Sequence, residues 1–274
     1  MTGADTILAD YAKPWILFWA AVVFCLGYMN YALCQKLRGW SRGMGQTSHR
    51  KGNVTRIAKI WFAEVFLQRQ VFGISPVRWF VHILIFWGFI GLALPSVFIV
   101  TLSILGRLGI ARGLQNYFFI GDGMRIIKLW CESFGAMLLV GLTAAVTRRF
   151  FVRPSQLVTE QMDSVLLFFL LWLTLSGFLL EWLHLSVTAP AFAHRSLIGY
   201  FPGVSHTFTA DQIRACLTGL WTLHSLSGAA LLAYLPNSKL MHSILAPLVI
   251  AMNAVEEHDR KDLYWPHVKK HKVT

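Results

Sequence analysis

The chain has 274 residues, of which 55% are hydrophobic and only 14% are charged, and its mean hydropathy is +0.54. Because soluble domains carry about 25% charged residues, this composition excludes an ordinary soluble protein and indicates that lipid surrounds most of the chain. The net charge of +12 would suit a nucleic-acid-binding protein. Basic residues in a membrane protein, however, usually mark cytoplasmic loops, so the positions of the basic residues along the chain distinguish the two explanations.

Five apolar segments are long enough to cross a membrane, which takes about 20 residues of α-helix. In chain order they are about 15–34, 79–105, 130–147, 164–184 and 217–252. The last segment contains Pro236, so it is either one span or a span followed by a short interfacial helix. The residues before the first segment are acidic and polar, which argues against a cleaved signal peptide. The predicted fold class is therefore all-α: one integral membrane domain over residues 1–274 with five transmembrane helices.

Lysine and arginine are distributed unevenly between the connections. Three regions that lie on one side in a five-span protein hold 18 of the 25 basic residues: 35–78, the connection between the third and fourth spans, and the stretch from Lys239 onward. The positive-inside rule then places the N-terminus outside and the C-terminus in the cytoplasm. The charge is thus a topology signal and argues against nucleic-acid binding. The predicted location is the cytoplasmic (inner) membrane of a prokaryote, with multiple passes.

Histidines lie within or at the ends of these spans. Ionisable residues at membrane depth indicate function by default. His224 and His242 are 18 residues apart, which in one continuous helix is five full turns and roughly 27 Å, so both rings would leave the same face. One metal ion cannot bridge that distance, whereas two haems, each taking one ligand from the helix, can do so. Neutral imidazole is a usual axial ligand of haem iron.

Each haem needs a second ligand at matching depth. His82 is the only histidine inside a span on the cytoplasmic side, so we pair it with His242. For His224, the predicted topology offers His184 near the outer surface. The following loop contains two weaker alternatives, His194 and His206. Three glycines near these ligands would let a flat macrocycle approach the backbone: Gly88, Gly91 and Gly228. The predicted cofactor is haem b, in two copies or one.

Other interpretations compete with this one. A single imidazole within the membrane can simply join two helices by a hydrogen bond. A proton- or ion-path subunit would have polar residues recurring along several spans, whereas the first and fourth spans are almost wholly apolar. A non-haem membrane anchor of a larger complex would be colourless when purified. The remaining histidines in charged stretches are predicted to lie at the surface: His49, His258, His267 and His271.

The cysteines exclude several other cofactors. Cys25, Cys34, Cys131 and Cys216 form no C-x-x-C pair. Their spacing argues against a disulfide framework, a zinc site, covalently attached haem, and an iron–sulfur cluster held by this chain alone. The sequence also contains no nucleophile–base arrangement and no glycine-rich phosphate loop.

Two segments resemble those of a known family. The stretch LHSLSGAALLAYLPNSKLMH (223–242) is similar to the last span of the respiratory nitrate reductase gamma subunit family of dihaem cytochromes b, sharing both histidines, Gly228, Pro236 and the Ser-Lys-Leu run. The stretch FLQRQVFGISPVRWFVHILIFWGF (66–89) resembles the start of span two in that family's relatives, the membrane subunits of heterodisulfide-reductase-like and sulfate-reducer redox complexes. The resemblance covers about residues 55–250.

The resemblance implies a respiratory-chain subunit that transfers electrons between a membrane quinone, menaquinone or ubiquinone, and a cytoplasmic iron–sulfur subunit of an oxidoreductase complex with further subunits. It assigns His82 and His242 to the haem nearer the cytoplasm and His224 to the outer haem. The nitrate reductase pattern has a second histidine on span two where this chain has Leu92. The outer haem therefore takes His184 or is absent, and we favour His184.

A quinone site requires polar groups in an apolar cleft near a haem edge. On the outer side the candidate residues are Asp122, Arg125, Lys128, Glu132 and Glu181. The first three are more simply explained as ordinary loop charges, whereas the two glutamates lie deeper, inside their spans. A carboxylate there would relay protons when the quinol is oxidised. On the cytoplasmic side, Arg78 either pairs with a haem propionate or serves only as a flanking charge.

The polar segments 35–78 and 253–274 are too short to bury a core of their own. They contain no cofactor motif. We therefore expect them to form the surface on which the soluble iron–sulfur subunit docks.

Overall fold

The computed structural model describes residues 15–43, 54–119, 122–153, 161–188 and 209–264. These ranges are helical and contain no strand, which agrees with the predicted all-α class. In chain order the α-helices are α1 (Trp15–Gly43), α2 (Val54–Trp61), α3 (Arg69–Ile74), α4 (Pro76–Arg107), α5 (Arg112–Phe119), α6 (Asp122–Val146), α7 (Gln161–Thr188), α8 (Ala210–Tyr234) and α9 (His242–Tyr264).

Four of the described helices are long and apolar enough to cross a membrane. They are Pro76–Arg107, Asp122–Val152, Gln161–Leu185 and Ala215–Asn237. These helices correspond to the second to fifth predicted spans and support the membrane location. The first predicted span forms α1, whose 29 residues extend over about 44 Å. The count of five spans, the orientation of the termini and the single domain stay predictions.

The helix that contains the third predicted span begins at Asp122, ahead of the predicted start of the span near residue 130. Arg125 and Lys128 lower the hydropathy of the first turns, so an apolar window misses them. The backbone is helical there nonetheless, and a carboxylate in the first turn suits the positive end of the helix dipole. The residues of this segment that were predicted for the quinone site therefore lie on a helix and not in a loop.

The fifth span is not one continuous helix over 217–252. Helix α8 ends at Tyr234 and is followed by two short 3₁₀ turns, Leu235–Asn237 and Lys239–Met241. Pro236 has no N–H for the helical ladder, and its ring conflicts with helix geometry. Ser238 between the turns is extended, with φ −102° and ψ 169°. The five-turn relation between His224 and His242 is therefore wrong, because it requires an uninterrupted helix.

The described residues fall into two compact units, one within residues 1–26 and 80–231 and the other within 27–79 and 232–274. In the first unit, α4 lies close against α6. A Cβ added to Gly88 would lie 2.7 Å from the Cα of Leu138, and one added to Gly91 would lie 2.1 Å from the ring of Phe134. Small residues allow such close helix contacts in membranes. The prediction that these two glycines face a macrocycle was therefore wrong, since they face α6.

Helices α6 and α7 pack against each other along their length in the same unit. At Gly135, an added Cβ would lie 2.8 Å from the ring of Phe178. Near the 154–160 connection, the Arg149 guanidinium donates to a carboxylate oxygen of Asp163 at 3.0 Å. These two contacts fix the register of α6 against α7.

In the second unit, α2 packs against α9, and the Trp61 indole nitrogen donates to the Pro247 carbonyl oxygen at 3.1 Å. Helix α2 lies within the polar segment 35–78, and α9 extends into the polar segment 253–274, so parts of both segments are helical. The interrupted segment after α8 contacts α1. The Lys36 ammonium donates to the Pro236 carbonyl oxygen, and the Asn237 amide donates to the Tyr28 hydroxyl at 3.1 Å.

Candidate functional site

His224 lies on α8 beside α7, near the middle of both helices. Its Nδ1 lies 2.8 Å from the Oγ of Ser176. A Cβ added to Gly177 would lie 3.4 Å from the Cε1 atom of His224. The absence of a side chain at Gly177 thus leaves room for the imidazole against the backbone of α7.

The Ser176 hydroxyl influences which nitrogen of the His224 imidazole carries the proton. Ser176 is 2% exposed, and its hydroxyl donates to the Leu173 carbonyl oxygen at 3.1 Å. A serine hydroxyl has one hydrogen to donate. When that hydrogen is on the Leu173 carbonyl oxygen, the hydroxyl oxygen accepts from Nδ1–H of His224, and the Nε2 of His224 carries a lone pair. This is the tautomer that binds a metal through Nε2.

His184 lies on the same helix, seven residues after Gly177. Seven residues are almost two full turns, so both residues lie on the same face of α7, about 10 Å apart along the axis. Side chains in a helix lean toward its N-terminus, which brings the imidazole of His184 toward the level of His224. The pairing of His184 with His224 at one haem stays a prediction from the sequence.

Charged residues gather around the same end of α6 and α7. The Lys128 ammonium interacts electrostatically with Glu132 on its own helix and with Glu181 on α7, and the two glutamates interact with each other. His184 interacts with Lys128. Glu132 is only 2% exposed, whereas the other three side chains are half-buried. We call Lys128, Glu132, Glu181 and His184 the outer polar cluster.

The cluster contains three of the five residues predicted for the quinone site. Counted from the start of α6, Lys128 lies about 9 Å and Glu132 about 15 Å along the axis. Glu181 lies about 10 Å before the end of the antiparallel α7, so these charges share one depth range. Asp122 and Arg125 are exposed on the first turns of α6 and lie nearer the helix end.

The two remaining histidines are more exposed. The imidazole of His242, at the start of α9, makes a hydrogen bond through Nδ1 with the carbonyl oxygen of Lys239, which again leaves Nε2 as the outward atom. His82 is exposed on α4. Arg78 is half-buried on the first turn of α4, and its backbone N–H donates to the Ser75 hydroxyl at 3.4 Å. The alternatives His194 and His206 lie outside the described residues.

Sequence reasoning missed Ser176. Serine is common in membrane helices, and its partner His224 lies 48 residues away, so no local pattern marks it. One turn earlier on α7, the Trp172 indole donates to the Ser227 hydroxyl at 3.3 Å, which forms a second link between α7 and α8.

In the described ranges, no three His, Cys, Asp or Glu residues are grouped to hold a bare metal ion. Haem iron needs at most two protein ligands.

Comparisons with known proteins show which family the chain is similar to. The sequence model of the HdrE family, described as a subunit of dihydromethanophenazine:CoB–CoM heterodisulfide reductase, matches residues 58–250. The chain is 27% identical to the HdrE protein from Methanosarcina mazei over 275 residues, which covers 91% of this chain and 96% of the relative. The HdrE proteins from Methanosarcina barkeri and Methanosarcina acetivorans are each 26% identical over 218 residues, which is 79% of this chain and 73% or 74% of the relative. No solved structure matches the chain.

Proposed function

Because the chain belongs to the HdrE family of heterodisulfide reductase subunits and is thus a membrane subunit of an oxidoreductase complex, we propose that it transfers electrons between a quinone-like membrane carrier and its partner subunits through haem b. The family name specifies dihydromethanophenazine as the electron donor of the relatives. For this chain we propose the same chemical class: an apolar carrier that releases two electrons and two protons on oxidation, such as a dihydrophenazine, menaquinol or ubiquinol.

The observation that carries the proposal is the environment of His224. Its imidazole is near the middle of α8, and its Nδ1 lies 2.8 Å from the Ser176 hydroxyl, so its Nε2 would bind the iron. His224 and His184 would hold the outer haem, and Gly228, one turn after His224, leaves a flat stretch of α8 surface. A haem bound there supplies one-electron chemistry within the membrane. The sequence pattern further assigns His82 and His242 to a second haem, with Arg78 as a partner for a propionate.

The outer polar cluster is the proposed carrier site. Oxidation of the carrier releases protons in an apolar environment, so acceptors must be fixed nearby. The carboxylates of Glu132 and Glu181 would receive these protons, one on each side of the α6–α7 contact. The Lys128 ammonium offsets the negative charge of the two carboxylates, which interact with it. The Asp122 carboxylate, nearer the helix end, would pass protons on to water, and the Arg125 guanidinium would offset negative charge there.

The electron-accepting partner is proposed to be a cytoplasmic iron–sulfur subunit. In the second unit, α2 and α9 pack together through Trp61 and the carbonyl of Pro247. Helix α2 lies within the polar segment 35–78, and α9 extends into the polar segment 253–274. The sequence assigns both segments to docking, and this assignment is part of the proposal.

The first experiment is a reduced-minus-oxidised visible spectrum of the purified membrane protein, with haem quantified per chain as the pyridine haemochrome. Two haems b per chain are expected. One haem would leave the electron-transfer function in place and remove His184 as a ligand. A colourless protein would contradict the proposal and favour a non-haem anchor or an ion-path subunit.

A further inference from the structure

We propose that Ser176 is a positioning residue for His224: its hydroxyl fixes the imidazole tautomer and raises the basicity of Nε2, which sets the potential of the outer haem. This inference rests on the proposed function in one respect, namely that His224 is a haem ligand. It concerns residues of this chain alone, and its test separates the two claims.

The hydroxyl of Ser176 is itself held by a hydrogen bond. Its hydrogen is used by the Leu173 carbonyl oxygen at 3.1 Å. The oxygen atom of a hydroxyl has two lone pairs, and one of them accepts the Nδ1–H of His224 at 2.8 Å. Because Ser176 is 2% exposed, water does not compete for these bonds. The orientation of the hydroxyl is therefore fixed from one side by α7 and from the other by α8.

The hydrogen bond also changes the imidazole. An acceptor on Nδ1–H fixes the ring orientation of a metal-binding histidine and makes its other nitrogen a stronger donor. Stronger donation favours ferric over ferrous iron. Without the acceptor, the ring is free to rotate, and Nε2 becomes a weaker donor. Loss of the Ser176 hydroxyl should therefore loosen the haem and make its midpoint potential more positive.

Two variants of Ser176 separate the hydrogen bond from the packing. Ser176→Thr and Ser176→Val have side chains of nearly equal shape, and only the first keeps a hydroxyl. Trp172→Phe is the matched control, because it removes the neighbouring α7–α8 hydrogen bond to Ser227 at 3.3 Å without touching the acceptor of His224.

The experiment is a redox titration with visible and electron paramagnetic resonance spectra of the purified complex for wild type, the three variants and His224→Ala. We expect His224→Ala to lose one haem. Ser176→Val should lose that haem about tenfold more readily on dilution into detergent, and its remaining haem at this site should titrate at a more positive potential. Ser176→Thr and Trp172→Phe should match the wild type, and the other haem should be unchanged in every variant.

Three outcomes would overturn the inference in distinguishable ways. If His224→Ala loses a haem but Ser176→Val keeps the wild-type potential and spectra, Ser176 has no role and the proposed function stands. If Trp172→Phe or Ser176→Thr shifts the potential as much as Ser176→Val, the effect comes from helix packing and not from the hydroxyl. If the wild-type protein contains no haem, the proposed function itself fails and the role of Ser176 falls with it.

Discussion

A Cβ added to Gly88 would lie 2.7 Å from the Cα, Cβ and backbone nitrogen of Leu138. The helices α4 and α6 therefore approach each other as closely as their backbones allow. The Trp130 indole donates to the Gly91 carbonyl oxygen at 2.7 Å in the same interface. Within lipid the hydrophobic effect does not drive helices together. The close backbone contact and the Trp130 hydrogen bond therefore stabilise the interface between α4 and α6.

This contact predicts that Gly88→Ala is destabilising. The added methyl group meets backbone atoms, which cannot rotate away, so we expect a loss of about 1–3 kcal/mol. The control is Gly219→Ala on α8, where an added Cβ meets no atom of the described residues within 4 Å, and where the helix gains up to about 1 kcal/mol. Thermal stability in detergent, followed by size-exclusion chromatography, measures both. Equal stability of the two variants would mean that α4 and α6 are less close than described.

The ion pair between Arg149 and Asp163 gives a second stability prediction. Both side chains are largely shielded, with 17% and 10% of their surface exposed. Arg149→Met leaves the Asp163 carboxylate without its charged donor at the end of α6 and α7, which should cost about 1.5–3 kcal/mol. Arg153→Met is the matched control, because Arg153 is exposed and its side chain donates to the Phe150 carbonyl oxygen. The same thermal assay measures the loss of stability. A smaller loss for Arg149→Met than for Arg153→Met would contradict the prediction.

The proposed ligand pairs predict which variants share a spectrum. His184→Ala and His224→Ala should each lose the same haem, since one iron needs both ligands. His82→Ala and His242→Ala should each lose the other haem. His258→Ala, a histidine that the sequence places in the charged tail, should keep both. Visible and electron paramagnetic resonance spectra check this, and a His184→Ala protein with both haems and unchanged spectra would show that His184 belongs to the carrier site only.

The outer polar cluster predicts a defect in carrier oxidation without loss of haem. Glu132→Gln keeps the shape of the side chain but removes a proton acceptor, so haem reduction by a short-chain reduced carrier should slow roughly tenfold. Changing both Glu132 and Glu181 to Gln should slow it about 100-fold, the usual range for a lost acid–base group. Glu64→Gln is the control, because Glu64 lies outside the outer polar cluster and accepts from the backbone N–H of Gln70 at 3.2 Å, a bond that the amide oxygen of glutamine keeps. Stopped-flow absorbance measures the rates, and wild-type rates in the double variant would falsify the assignment of the carrier site.

The sequence predicted most of the fold for a simple physical reason. Long apolar segments must form helices in lipid, because unpaired backbone groups are costly there. The start of α6 at Asp122 was not predicted, because hydropathy describes side chains, whereas a helix begins where its backbone hydrogen bonds begin. The break after Tyr234 was signalled by Pro236, but the position of the extended residue Ser238 was not, because the contacts of the second unit decide it.

Local patterns predicted the candidate site less completely. The sequence pointed to His224, Glu132 and Glu181 because charge and imidazole are rare in apolar helices. Ser176 and Gly177 were missed, since neither residue is unusual in a membrane span and both matter through a partner on another helix. Gly88 and Gly91 were assigned to a cofactor although they serve a helix contact. Glycine marks a close approach, but the sequence does not say what approaches.

The interruption between α8 and α9 also constrains how the chain matures in the membrane. The carbonyl oxygen of Pro236 and the amide of Asn237 find partners on α1, at Lys36 and Tyr28. Helix α1 is synthesised about 200 residues before the interrupted segment. The two hydrogen bonds can therefore form only after the later segment has been made, and a variant without the Lys36 and Tyr28 side chains would leave the break without them.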